Sequence, residues 1–240
     1  MSAVNLGRVA DVGEHLKLRN LGNTYTQEMK DDISSGSFNI CKVGCYLTIN
    51  GTKYIFAHPD YWLNKGGPNN KCTTHHMAVI TEGSVGTSKM ASASSTPYSS
   101  SYMRQKLHDT YLPQLQTDFG SANVLKINDG LVSGISSSGY PNNWGYYSSD
   151  LIIPTQPMLF GALFCTYLTS GNYWYYNIGL NNDQFELFAK RPDLVPINGV
   201  KYWLRDIFNS SNYVVVTENG ALAYDTYSTA NGIRLVFAIC

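Results

Sequence analysis

Two stretches of the chain carry β-branched and aromatic residues on both sides of an Asn-Gly pair, the composition that marks strands joined by a tight turn. The first runs Cys45-Tyr46-Leu47-Thr48-Ile49, passes Asn50-Gly51 and continues Thr52-Lys53-Tyr54-Ile55-Phe56. Asn-Gly supplies the two positive-φ residues of a type I′ turn, so a tight hairpin is predicted here. The second runs Tyr213-Val214-Val215-Val216-Thr217 through Glu218-Asn219-Gly220 to Ala221-Leu222-Ala223-Tyr224, and predicts another hairpin. Residues 232–239 are almost continuously apolar, which predicts one strand in the interior of its sheet. Helical spacing stands out in the middle of the chain, where Met103, Leu107 and Tyr111 recur behind the capping candidates Ser99, Ser100 and Ser101. Pro113 is expected to kink or end that helix, with Leu112 and Leu115 still apolar around and beyond it. Residues 89–101 are small and turn-forming, and read as a loop.

Residues 1–37 read differently. Asn20-Leu21-Gly22-Asn23 breaks any early element, and Thr24 is placed to cap a short helix through Gln27, Met29 and Ile33. The segment has too few apolar residues to hold a core alone. It is expected to be an N-terminal assembly arm (1–37) ahead of the main domain (38–240), docked on a neighbouring subunit or on its own domain.

Composition narrows the classes. The chain has 240 residues, 17 Lys+Arg against 17 Asp+Glu, and only 14% charged residues, where a globular protein averages about 25%. With 43% hydrophobic residues it is not a disordered chain. Without a cationic surplus it lacks what nonspecific nucleic-acid binding requires. A neutral, charge-poor surface also lacks self-repulsion, which suits a subunit packed against others. The most lipid-like stretch, residues 151–168, is interrupted by Pro154, Gln156 and Pro157, so membrane insertion is not expected. Residues 1–20 contain no continuous apolar run of a secretory signal. Five scattered cysteines, Cys41, Cys45, Cys72, Cys165 and Cys240, favour reduced, largely buried thiols in a protein made in a cytoplasm. The sequons at Asn50 and Asn209 read as ordinary turns.

Several motifs occur in a fixed order. Residues 98–107, Tyr98-Ser99-Ser100-Ser101-Tyr102-Met103-Arg104-Gln105-Lys106-Leu107, resemble a helix start of the form Tyr-x-x-Ser-x-hydrophobic-Arg-x-x-Leu. Residues 150–161, the Tyr202-Trp203-Leu204-Arg205 strand, Val216 to Gly220, and Gly232-Ile233-Arg234-Leu235-Val236 follow in the same order as in that family. Upstream, residues 35–38, 46–51, Tyr61-Trp62 and His75-His76 are similar to phage and prophage virion proteins that carry this module. The resemblance covers roughly residues 35 to 240. It implies an α+β, C-type-lectin-like twisted antiparallel sheet with one main helix, distantly similar to the sulfatase-modifying-factor fold, used by phages as a display platform. The chain departs from the pattern at Gln156-Pro157, where Ser and Glu are usual, and at Leu235, where the family has Pro.

Reactive chemistry is sparse. Cys41-x3-Cys45 and Cys72-x2-His75-His76 concentrate possible metal ligands, but Cys41 and Cys45 flank an apolar strand and adjacent histidines in a strand face opposite sides, so no metal is expected. His58-Pro59-Asp60, Asn181-Asn182-Asp183 and Arg191-Pro192-Asp193 are turns and loops rather than a convergent calcium cage. Gly134-Ile135-Ser136-Ser137-Ser138-Gly139 has one residue too many for a nucleophile elbow. Cys165 and Cys240 are poor counterparts of the sulfatase modifiers' cysteine pair, and an enzyme of that fold is the alternative reading. No cofactor is implied. Two Gly/Asn-rich segments carry the aromatic surplus: Tyr140, Asn143, Trp144, Tyr146 and Tyr147, then Tyr173, Trp174 and Tyr175. Such residues make good contact loops, and in a sheet they equally serve as core. The expectation is a non-enzymatic virion structural protein, serving host attachment at the tail or capsid or tail decoration. Its expected partners are copies of itself in a trimer or higher ring, other virion proteins, and a host surface glycan or protein.

Overall fold

The computed structural model describes residues 16–67, 71–136, 141–162 and 184–240. Six strands make the first sheet, in the order β1 (Arg19–Asn20), β2 (Cys45–Ile49), β3 (Thr52–Pro59), β4 (Met77–Thr81), β13 (Val236–Ile239) and β6 (Val124–Leu125). The second sheet runs β11 (Leu222–Thr226), β10 (Asn212–Val216), β9 (Tyr202–Ile207), β12 (Asn231–Gly232) and β5 (Thr87–Ser88). A separate hairpin joins β7 (Ile127–Ile135) to β8 (Pro141–Ser149). Short helices complete the α+β architecture: α1 (Gln27–Ser34), α2 (Tyr102–Lys106), α3 (Leu112–Phe119), α4 (Gln156–Phe160) and α5 (Glu186–Lys190). Pairing is antiparallel except between β1 and β2 and between β9 and β12.

Both predicted hairpins form, as β2–β3 and β10–β11. Asn50 and Gly51 take φ of 50° and 80°, the left-handed pair that a type I′ turn requires. The central strands of the first sheet are buried on both faces, which explains their unbroken apolar runs. Tyr54, Phe56, Val79, Phe237 and Ile239 pack with α1, α2 and α3, while Ile55, Ala57, Ala78, Ile80, Val236 and Ala238 pack with α4, α5 and the second sheet.

The closing apolar run is two strands rather than one. β12 lies in the second sheet and β13 in the first, and residues 233–235 carry the chain between them. There the Ile233 amide donates to Gly86 O at 2.9 Å, and the Leu235 amide turns to a side chain, Thr81 Oγ1, at 3.1 Å. The passage is tight: a Cβ on Gly232 would lie 2.8 Å from Val200 and 3.0 Å from the Lys201 carbonyl.

Residues 16–37 pack on the chain's own core. β1 joins the first sheet, and Met29 and Ile33 of α1 are buried in it. Thr26, not Thr24, caps α1, its hydroxyl accepting from the Met29 amide at 3.3 Å. Asp32 ties α1 to the start of the main domain, accepting from the Ser37 hydroxyl (2.6 Å) and from the amides of Asn39 (2.8 Å), Ile40 (3.0 Å) and Cys41 (2.8 Å). Burial pushes this carboxyl up, but the hydrogen bonds together outweigh it and hold it below the usual range.

Pro113 neither ends nor breaks the main helix. A π turn, Leu107–Tyr111, links α2 to α3, and the Leu112 amide reaches back five residues to Leu107 O. A proline ring collides with the carbonyl four residues earlier, and a widened turn just ahead of it relieves that clash. Met103, Leu107 and Tyr111 are buried, as their spacing predicts.

Candidate functional site

The β7–β8 hairpin is fastened at its root and extends from there. Ile127 and Ser149, paired at the root, are buried. Asp129 on β7 meets Arg205 on β9, Oδ2 to Nη1 at 2.5 Å, with side-chain exposures of only 5% and 11%. From α2, Arg104 donates through Nη2 to Ser148 O (3.0 Å) and through Nη1 to Ser99 O (3.1 Å), and its guanidinium lies 5.9 Å above the Tyr147 ring. On the other face, Tyr146 packs against the backbone at Gly67, where an added Cβ would come within 3.2 Å of the ring. Tyr146 and Tyr147 are half-buried and, as neighbours in a strand, face opposite sides of the hairpin. Further out, Asn143 is exposed, and the backbone of Trp144 pairs with Val132. Tyr140, Tyr173, Trp174 and Tyr175 lie outside the described residues.

A cleft of about 430 Å³ adjoins the hairpin root, lined by Ser99, Ser100, Ser101, Arg104, Gln105, His108 and Asp109. Ser101 caps α2, accepting from the Arg104 amide at 3.1 Å, and this aims the arginine across to β8. Arg104 Nε and His108 Nε2 are buried and make no hydrogen bond among the described residues. Burial, reinforced by the Arg104 charge, pushes the His108 pKa below its ordinary value. The cleft thus mixes guanidinium, hydroxyl and amide donors with imidazole and carboxylate acceptors, a set suited to hydroxyl-rich ligands. The helix motif contains Arg104, so that residue was visible in the sequence. His108 was not: the π turn, which no spacing rule predicts, sets its position.

The Cys72/His75/His76 concentration is structural. His76 accepts the Trp62 amide at Nε2 (3.0 Å) and donates from Nδ1 to Thr74 O (2.8 Å), so both ring nitrogens are committed. His75 turns the other way, to Asp60 at 2.7 Å. Among the described residues no three His, Cys, Asp or Glu converge as a metal would need. Cys41 and Cys45 are buried, and burial pushes the Cys41 thiol up to about 12. The remaining motif residues are scaffold. Tyr98 receives the Ile153 amide (3.4 Å), Thr155 caps α4, and Trp203 donates to Ser88 O (2.8 Å). Arg234 is fully buried.

This chain matches no family model, no curated protein and no solved structure.

Proposed function

We propose that this chain is a bacteriophage virion protein whose C-type-lectin-like domain displays a non-catalytic contact surface, for host attachment or for capsid or tail decoration. The observation that carries the reading is the anchored hairpin. Its root is locked by Asp129–Arg205 and Arg104 and adjoins the cleft, and further out it carries the exposed Asn143 with Trp144 next in sequence. Among the residues shared with the virion-protein motifs, Tyr98, Trp203 and Arg234 are committed inside the fold, whereas Ser99, Arg104 and Gln105 line the cleft. A neutral, charge-poor exterior favours contact through uncharged polar and aromatic groups over long-range steering.

Antibody labelling of intact particles tests the reading, and absence of the chain from purified particles overturns it. Substituting Asn143→Ala together with Trp144→Ala is expected to reduce adsorption to host cells by roughly tenfold or more, with the melting temperature unchanged. Unchanged adsorption assigns the protein to decoration instead.

A further inference from the structure

A second concave surface lies at the end of the first sheet where β2 begins, β3 ends and β4 begins. Its volume is about 450 Å³, and Phe38, Val43, Pro59 and Met77 contribute apolar walls. Around it stand Lys17, Arg19, Lys42 and Lys190, against one acid, Glu186. That acid is spent, its carboxylate lying 2.5 Å from Lys190 Nζ. Lys17, Arg19 and Lys42 are exposed and form no ion pair among the described residues. In a chain whose charges sum to zero, three uncommitted cations around one apolar groove are a local excess. Beside the groove, β1 is the terminal strand of its sheet, with both residues exposed and one edge unpaired among the described strands.

We propose that this groove binds an extended acidic segment of a neighbouring protein, apolar side chains seated between Phe38, Val43 and Pro59 and carboxylates facing Lys17, Arg19 and Lys42. The charge complement selects an acidic partner, and an apolar floor alone would not. The open edge of β1 offers main-chain groups to an extended peptide, which distinguishes this occupant from a small anion. Cations on the edge also repel a second copy of the same edge, so the site discriminates against self-pairing. The inference rests on the groove and is independent of the hairpin's role.

The test is panning of a random peptide display library on the full chain, with the triple variant Lys17→Glu, Arg19→Glu, Lys42→Glu as counter-target. All three side chains are exposed, so the variant keeps the parent's melting temperature. Enriched peptides are expected to interleave Asp or Glu with large apolar residues. A fluorescent peptide of that class should bind more weakly as salt rises. Each single reversal should weaken it by roughly threefold to tenfold. Failure to enrich any sequence over the counter-target overturns the proposal, as does equal binding to the triple variant. Saturable binding of dodecyl phosphate with no peptide enriched also overturns it, assigning the groove to an amphiphile.

Discussion

A buried arginine with no carboxylate beside it among the described residues is costly unless other groups take up its charge. Arg234 donates from Nε to Thr81 O at 2.8 Å and from Nη1 to Val195 O at 3.1 Å, and its guanidinium lies over the Phe188 and Tyr202 rings at 5.1 and 5.6 Å. Carbonyl dipoles and aromatic faces thus stand in for a counter-ion. Asp206 is a different case. It is buried and accepts the Gln156 amide at 2.8 Å, yet burial outweighs that bond and the nearby Arg205 charge, raising its pKa to about 6. Unfolded, the same carboxyl titrates near ~3.9. Between those values the folded state keeps a proton that the unfolded state has lost, so this residue's contribution to stability falls as pH rises from about 4 to about 6. Asp206→Asn preserves an acceptor for Gln156 and removes the titration. The stability of the parent relative to this variant should therefore decline by roughly 2 kcal/mol across that window and stay level above it. Urea unfolding at pH 4.5, 5.5 and 7 measures it, and a difference independent of pH refutes the assignment. Comparing the two proteins cancels the opposite trend expected from Asp32, whose lowered pKa makes stability fall under acid.

At the level of elements, the hairpin depends on one buried ion pair more than on its own ladder, since isolated two-stranded hairpins are marginal in water. Removing one member of such a pair leaves a charge without compensation. Arg205→Met or Asp129→Asn alone should cost about 3–5 kcal/mol and speed amide exchange through β7 and β8. The double variant should recover much of that loss, since it leaves no uncompensated charge. Equal losses in single and double variants, read by denaturant titration, would mean that packing rather than charge holds the root. The main helix shows how far element prediction reaches. Its buried face was legible because Met103, Leu107 and Tyr111 are four apart, but a π turn rather than a kink resolves the conflict at Pro113. Of the three serines readable as caps one is used: Ser101 caps α2, while Ser99 and Ser100 lie inside the preceding turn, Tyr98–Ser100.

Across the whole molecule, the first sheet serves two cores at once, and the described cysteines divide accordingly. Cys41 and Cys45 are enclosed with α1, whereas Cys72 and Cys240 are partly open. Under native conditions a water-soluble disulfide reagent should modify Cys72 and Cys240 and leave Cys41 and Cys45 untouched until the chain unfolds. Mass mapping of the labelled sites checks this, and early labelling of Cys41 would mean that α1 opens independently of the core. The same enclosure accounts for residues 16–37. Read alone they have too little apolar surface to fold, and against the first sheet Met29, Ile33 and the Asp32 hydrogen bonds hold them in place.

Turn chemistry and short-range periodicity determined the two hairpins and the helical face from the sequence alone, because each depends on residues within a few positions of one another. What joins distant positions was decided only by the tertiary structure. Asp129 and Arg205 are 76 residues apart, Arg234 and Thr81 are 153 apart, and the cationic groove gathers side chains from residues 16–19, 38–45, 59, 77 and 186–190. Neither a buried charge nor a shared surface has a local pattern. Each arises where desolvation makes a partner necessary, or where separate elements happen to bring like chemistry together.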